Sequence, residues 1–210
     1  TPTPLAGFTI EYYNTNPTMY GAITYQNLAF SGTGTAGASA GLIVQGNLTN
    51  TGGGTLNFGA NNVTLSGTVA ANNIAGFTTS GTVAITKSTG TATFTGIVNG
   101  NGLSINSTGG TLSLGTGLTH SVSTLTLGGV GQSSGSWGGT GSAATYINPN
   151  YFANASGIVN VSTSSCTPGT WFGLISTDWN TGSNWCGGVV PTSSTNVTIP
   201  SGGNQPVIGA

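Results

Sequence analysis

The sequence predicts an all-β protein wound as a β-solenoid, and three observations carry that reading. Short runs rich in Val, Ile, Thr and Phe alternate apolar residues with Thr, Ser or Asn, as half-buried strands do, and many of the 38 glycines punctuate them. No segment shows the spacing of an amphipathic helix, and the helix formers Glu, Lys, Arg and Met are almost missing. Finally, Lys87, Glu11 and Asp178 are the only charged side chains in 210 residues. A coil that stacks equivalent residues rung upon rung favours ladders of Thr, Asn, Val and Ile, whereas like charges placed opposite one another repel.

Taken in order, the candidate strands are Ile23–Phe30, Leu42–Leu48, Gly54–Phe58, Val63–Val69, Thr82–Thr86, Ala92–Val98, Leu103–Asn106, Gly110–Leu114 and Val122–Leu127. The heptapeptide at 53–59 (Gly-Gly-Thr-Leu-Asn-Phe-Gly) returns at 109–115 as Gly-Gly-Thr-Leu-Ser-Leu-Gly. Asn61-Asn62, Asn72-Asn73, Asn99-Gly100 and Asn101-Gly102 are expected to supply turns, because these residues tolerate left-handed backbone angles. A unit of about 20 residues with two or three short strands is a solenoid coil, here expected as a right-handed parallel β-helix. An antiparallel β-sandwich is the alternative that the same composition allows.

Composition changes after Ser133. An aromatic-rich stretch from Ser136-Trp137 ends in an alternating strand at Gly157–Ser162, and Thr163–Ser165 reads as a linker. The expected division is a solenoid over residues 1–165 and a distinct segment over 166–210, which holds Trp171, Trp179, Trp185 and both cysteines. No apolar run reaches the roughly 18–20 residues of a membrane span. Thr1-Pro2-Thr3-Pro4 carries neither an initiator Met nor the basic and apolar regions of a signal peptide, as expected of a processed product or an excerpt.

Two stretches carry a resemblance. Leu125 to Ser142, followed by Ala144-Thr-Tyr-Ile-Asn, Tyr151-Phe152 and Gly157-Ile-Val-Asn-Val, resembles the closing coil of bacterial autotransporter-like β-strand repeat regions. The second combines Trp171-Phe-Gly, Thr177-Asp-Trp, Asn184-Trp-Cys-Gly-Gly-Val-Val-Pro and Asn196-Val-Thr-Ile-Pro-Ser-Gly-Gly-Asn-Gln-Pro-Val-Ile. It is similar to the segment that opens each β-helical repeat in large secreted surface proteins of Bacteroidetes, of the gliding and adhesin type. The resemblance implies an extracellular or cell-surface structural protein with adhesive or fibre-forming duty, and it offers no catalytic residues. A closing element that precedes an opening one implies that the strand residues Val197 and Ile199, with Val207 and Ile208, lead into another coil. That coil would belong to the next repeat or to a neighbouring copy.

The chemistry available to such a chain is narrow. With one imidazole (His120) and two carboxylates, neither a catalytic triad nor a metal cluster can be assembled, so no enzymatic activity, cofactor or metal is expected. Nucleic acid is excluded as a partner by the single Lys. Cys166 and Cys186 are expected to pair, two cysteines in an exported chain favouring a disulfide, with free thiols or bonds between copies as rivals. Trp171, Trp179 and Trp185, with Tyr12 and Tyr13, are candidates for packing at a solenoid end or subunit interface, or for a platform against neutral glycans. Asp178 beside Trp179 reads as a turn-former. Glu11 and Lys87 are expected at independent solvated positions, a bridge between them being the alternative. Thr91-Ala-Thr-Phe-Thr and Thr124-Leu-Thr raise a further option, an ice-binding face. The expected partners are copies of the chain itself, stacked head to tail, with neutral glycans as the second possibility. So few titratable groups imply a stability nearly independent of pH.

Overall fold

The computed structural model describes residues 7–106, 109–173, 176–201 and 204–208. The chain is a β-solenoid whose strands fall into sheets of six, eleven and three strands. One face carries Thr9–Tyr12, Asn27–Phe30, Leu48–Asn50, Ala71–Ile74, Thr91–Phe94 and Thr111–Ser113, in that spatial order. A second carries Thr24–Tyr25, Leu42–Val44, Val63–Leu65, Thr82–Ile85, Val98–Ile105 and Thr119–Leu127. The smallest face is Thr18–Met19, Thr35–Ala38 and Thr55–Leu56. Coil pairs with coil in parallel throughout these faces, which excludes the antiparallel sandwich.

The core is a set of stacked columns. Tyr25, Val44, Leu65, Ile85, Ile105 and Leu127 lie one above the next across six coils. Leu28, Leu48, Ile74 and Phe94 do the same on the opposite wall. All ten are at most 3% exposed. At about 25 cal/mol per Å² of apolar surface, such columns are the main source of stability in a chain without charge pairs.

The expected period holds, with one expansion. Asn47 lies 20 positions after its partner Asn27, and Asn73 lies 26 after Asn47. The extra residues widen one corner of the coil, where Val44 leads to Leu48 but Leu65 leads to Ile74. Close contact between coils is demanding at the corners: a Cβ added to Gly52 would sit 2.0 Å from the carbonyl oxygen of Ser31 in the coil below.

Most of the asparagines expected to turn the chain do not, the exception being Asn61, whose amide closes a turn on the Phe58 carbonyl at 3.1 Å. Asn72, Asn73, Asn99 and Asn101 lie inside strands, and Asn16 and Ala22 are the described non-glycine residues with positive φ. Instead the side-chain oxygens of Asn27, Asn47, Asn62 and Asn99 accept the backbone N–H of Asn47, Asn73, Thr82 and Ser121 in the next coil, at 2.8–3.0 Å. A backbone N–H that finds no carbonyl in the ladder would otherwise lack a partner. The strands Thr9–Tyr12, Thr35–Ala38, Ala71–Ile74 and Phe77–Thr78 were not anticipated. Thr35-Ala-Gly-Ala38 has little β propensity of its own and is held by pairing on both sides.

After Leu127 the path leaves the coil and returns. Ile158–Val161 stacks in parallel on Thr119–Val122, and Gly135–Gly138 pairs antiparallel with it. This layer closes the core: Trp137 is fully buried, stacked on Tyr146 at 4.5 Å, and its Nε1–H donates to the Ser133 carbonyl at 2.9 Å.

Candidate functional site

Among the described residues, the solenoid body brings no cluster of reactive groups together. Lys87, expected in solvent, is buried: its amine donates to the Val69 carbonyl at 2.9 Å and to the Asn72 side-chain oxygen, inside the widened corner. Burial holds that amine below the ordinary lysine range. Glu11 is exposed and accepts from the Ser31 hydroxyl, so no Glu11–Lys87 bridge forms. His120 stands in an inward column between Val98 and Val159, 1% exposed. Its Nδ1 accepts from the Val98 amide at 3.0 Å, which leaves Nε2 to donate to the Leu114 carbonyl at 2.9 Å. This is a neutral tautomer with both nitrogens occupied. Burial pushes its pKa down, with the Leu114 carbonyl opposing. Three buried titratable groups therefore replace the expectation of pH-indifferent stability, the third being Tyr25.

Tyr25 belongs to a ring of hydrogen bonds at the first coil. The Tyr20 amide donates to the Tyr12 hydroxyl at 3.1 Å, Tyr12 and Tyr25 hydroxyls meet at 3.2 Å, and Tyr25 donates to the Tyr20 carbonyl at 2.6 Å. Burial first, and then the Tyr12 hydroxyl, push the Tyr25 phenol above its usual range. Tyr12 thus helps close this end, whereas Tyr13 is exposed beside it.

The C-terminal segment has its own small core. Cys166 and Cys186 are disulfide-bonded, with Cα atoms 6.0 Å apart. Trp171 and Trp179 both meet Trp185 edge to face, at 4.8 and 4.6 Å. Trp171 and Trp185 are buried, and their indole N–H groups donate to the carbonyls of Asn204 and Trp179, each at 2.7 Å. Packing among themselves removes the exposed three-tryptophan platform; only Trp179 remains half-exposed. Asp178 closes a turn by accepting from the Asn180 amide and the Thr181 hydroxyl.

The stretch read as a linker is pinned to the last coil. Ser165 Oγ donates to the Leu125 carbonyl at 3.0 Å, and its amide donates to Gln132 at 2.9 Å. Ser133, which sequence reasoning missed, ties the two parts: buried, it accepts from the Gly187 amide at 2.9 Å and lies 3.6 Å from the sulfur of Cys166. No local pattern marks such a serine in a chain rich in them.

Beyond the disulfide, two segments begin a further rung. Thr198 bridges Thr170 and Val207 bridges Asp178, both in parallel. Val197, Ile199, Val207 and Ile208 ride on these segments at 39%, 40%, 60% and 73% exposure. The outward columns of the solenoid are mixed rather than all threonine: Thr24, Ile43, Thr64, Ala84, Ser104 and Thr126 form one, and Thr82, Gly102 and Thr124 another. Among the described residues no helix is long and apolar enough to cross a membrane, and no group of three or more His, Cys, Asp or Glu could hold a metal.

These features define a β-solenoid repeat protein. Comparison of the chain with protein-family models, curated proteins and solved structures returned no match.

Proposed function

We propose that this chain is a non-enzymatic, extracellular structural module of adhesive type that stacks end to end into a surface fibre. The observation that carries the reading is a set of exposed apolar side chains on the segments that pair in parallel with Thr170 and Asp178. Val197, Ile199, Val207 and Ile208 sit on these segments at 39–73% exposure, an apolar patch suited to burial against a partner. At the opposite end, among the described residues, Thr9–Tyr12 is the outermost strand of its sheet, with Phe8, Tyr13 and Tyr20 exposed nearby. Strand addition between two such edges satisfies backbone groups and buries these side chains together. A formal net charge of −1 sets almost no repulsion against stacking like copies. The disulfide fits an oxidising, exported setting, and the resemblance to repeat-closing and repeat-opening elements of Bacteroidetes surface proteins points the same way.

Sedimentation velocity across a wide concentration range, with electron microscopy of the same samples, tests this. Filaments that grow with concentration and shorten in an Ile199→Lys, Val207→Lys variant are expected. A wild-type chain that stays monomeric at high concentration overturns end-to-end stacking.

A further inference from the structure

A cleft of about 300 Å³ opens where the last coil meets the C-terminal segment, with Gln132, Asn148, Tyr151, Trp171 and Phe172 in its walls. Gln132 and Asn148 are each only 4% exposed. Each amide commits one end to the backbone: Gln132 Nε2 donates to the Val130 carbonyl at 2.8 Å, and Asn148 Oδ1 accepts from the Asn150 amide at 3.2 Å. Among the described residues the other ends, Gln132 Oε1 and Asn148 Nδ2, have no protein partner, and neither is sealed away from solvent. The cleft wall thus offers one free acceptor and one free donor, fixed by otherwise buried side chains. Buried amide groups are paired as a rule, so such ends are suited to a hydrogen-bonding guest.

The remaining walls narrow the class of guest. Tyr151 and Phe172 are half-buried aromatics, and Trp171, 2% exposed with its N–H given to Asn204, backs the wall. No charged side chain lines the cleft. An anion or cation would find no counter-charge, and a purely apolar guest would leave both amides unpaired. A pyranose ring has hydroxyl edges for the amides and a C–H face for the aromatics. A second hollow of about 400 Å³, lined by Thr167, Thr170 and Thr198, shares Val130 and Pro200 with the first.

We propose that this junction cleft is a binding site for a neutral saccharide, with Asn148 and Gln132 as its polar anchors. The polar anchors Gln132 and Asn148 are not among the stacking residues, although Pro200 beside Ile199 borders the cleft, so sugar binding by the unassembled chain is read apart from fibre growth. The test is an NMR titration of the folded, disulfide-bonded chain with glucose, galactose, mannose, N-acetylglucosamine and cellobiose. At least one sugar is expected to give saturable shifts of the Asn148 side-chain amide and the Trp171 indole. Asn148→Asp keeps the oxygen that holds the Asn150 amide but loses the free donor, and Tyr151→Phe removes one hydroxyl. Each should weaken binding about tenfold or more while the buried Trp137 indole resonance stays in place. No saturable shift with any of the five sugars, shifts confined to other surfaces, or equal affinity in both variants would overturn the site and leave the cleft as a hydrated gap.

Discussion

The amine of Lys87 and the side-chain oxygen of Asn72 meet inside the solenoid, where both residues are at most 2% exposed. The widened corner makes room for them, and the Val69 carbonyl is the second acceptor. Lys87→Met fills the same space yet strands both acceptors, so a loss of about 1–3 kcal/mol is expected in urea unfolding. Adding Asn72→Leu removes one stranded oxygen but also the Nδ2–H that donates to the Gln45 carbonyl at 3.2 Å, so little of that loss should return.

The pH dependence follows from three buried groups. His120 has a folded pKa below its ordinary 6.5, so its contribution is complete above pH 6.5 and declines as pH falls from there to the folded value. Lys87 has the same sign, with its decline beginning below 10.5. Tyr25 is opposite: its raised pKa keeps its contribution intact below pH 10.0 and loses it as pH rises further. Stability should therefore peak on the alkaline side of neutrality. In urea titrations, His120→Gln should remove the slope below pH 6.5 and leave the alkaline limb unchanged.

Reduction of the Cys166–Cys186 bridge should act locally. On chain-entropy grounds a loop of this size contributes about 3 kcal/mol. Hydrogen exchange in the Cys166→Ser, Cys186→Ser variant is expected to quicken around Trp171 and Trp185. Amides in the stacked columns, such as those of Val83 and Leu103, should stay protected.

Two neighbouring glycines separate packing from backbone conformation. At Gly52 an added methyl group meets the Ser31 backbone at 2.0 Å, whereas at Gly53 it meets open space and the obstacle is a φ of +78°. Gly53→Ala should cost about 1–2 kcal/mol. Gly52→Ala should cost more, because it presses one coil off the next, and loss of cooperative melting is the expected reading.

Salt should matter little. Glu11 contacts a hydroxyl, Asp178 a turn and Lys87 two neutral oxygens, so screening has few charge pairs to weaken. Melting temperatures measured from low to molar NaCl are expected to stay level; a fall of several degrees would reveal an ion pair that these contacts do not contain.

Much of the fold is legible along the chain. Leu42, Val44, Val63, Leu65, Val83 and Ile85 alternate with Ile, Thr and Ala, and that alternation states which side chains point inward. The cysteines, alone of their kind, name each other. The cleft was not legible: Gln132, Asn148 and Tyr151 fall within the stretch that resembles a closing coil, but nothing in it marks them as neighbours of Trp171, which they become only when the last coil folds back.

Local alternation and near-zero charge determined an all-β coil of about 20 residues, because inside and outside in a strand are set by neighbours two apart. Only the tertiary structure decided which face each strand joins. The two near-identical heptapeptides show why. Thr55 pairs with Thr35 on the smallest face, and Thr111 pairs with Thr91 on another. The stack likewise turned Asn62 and Asn99 from expected turn residues into acceptors for the next coil and drew Lys87 inside. Register between coils is a contact across some 20 positions, settled by where each corner N–H finds an acceptor and each apolar column closes without a gap, and no local pattern encodes that.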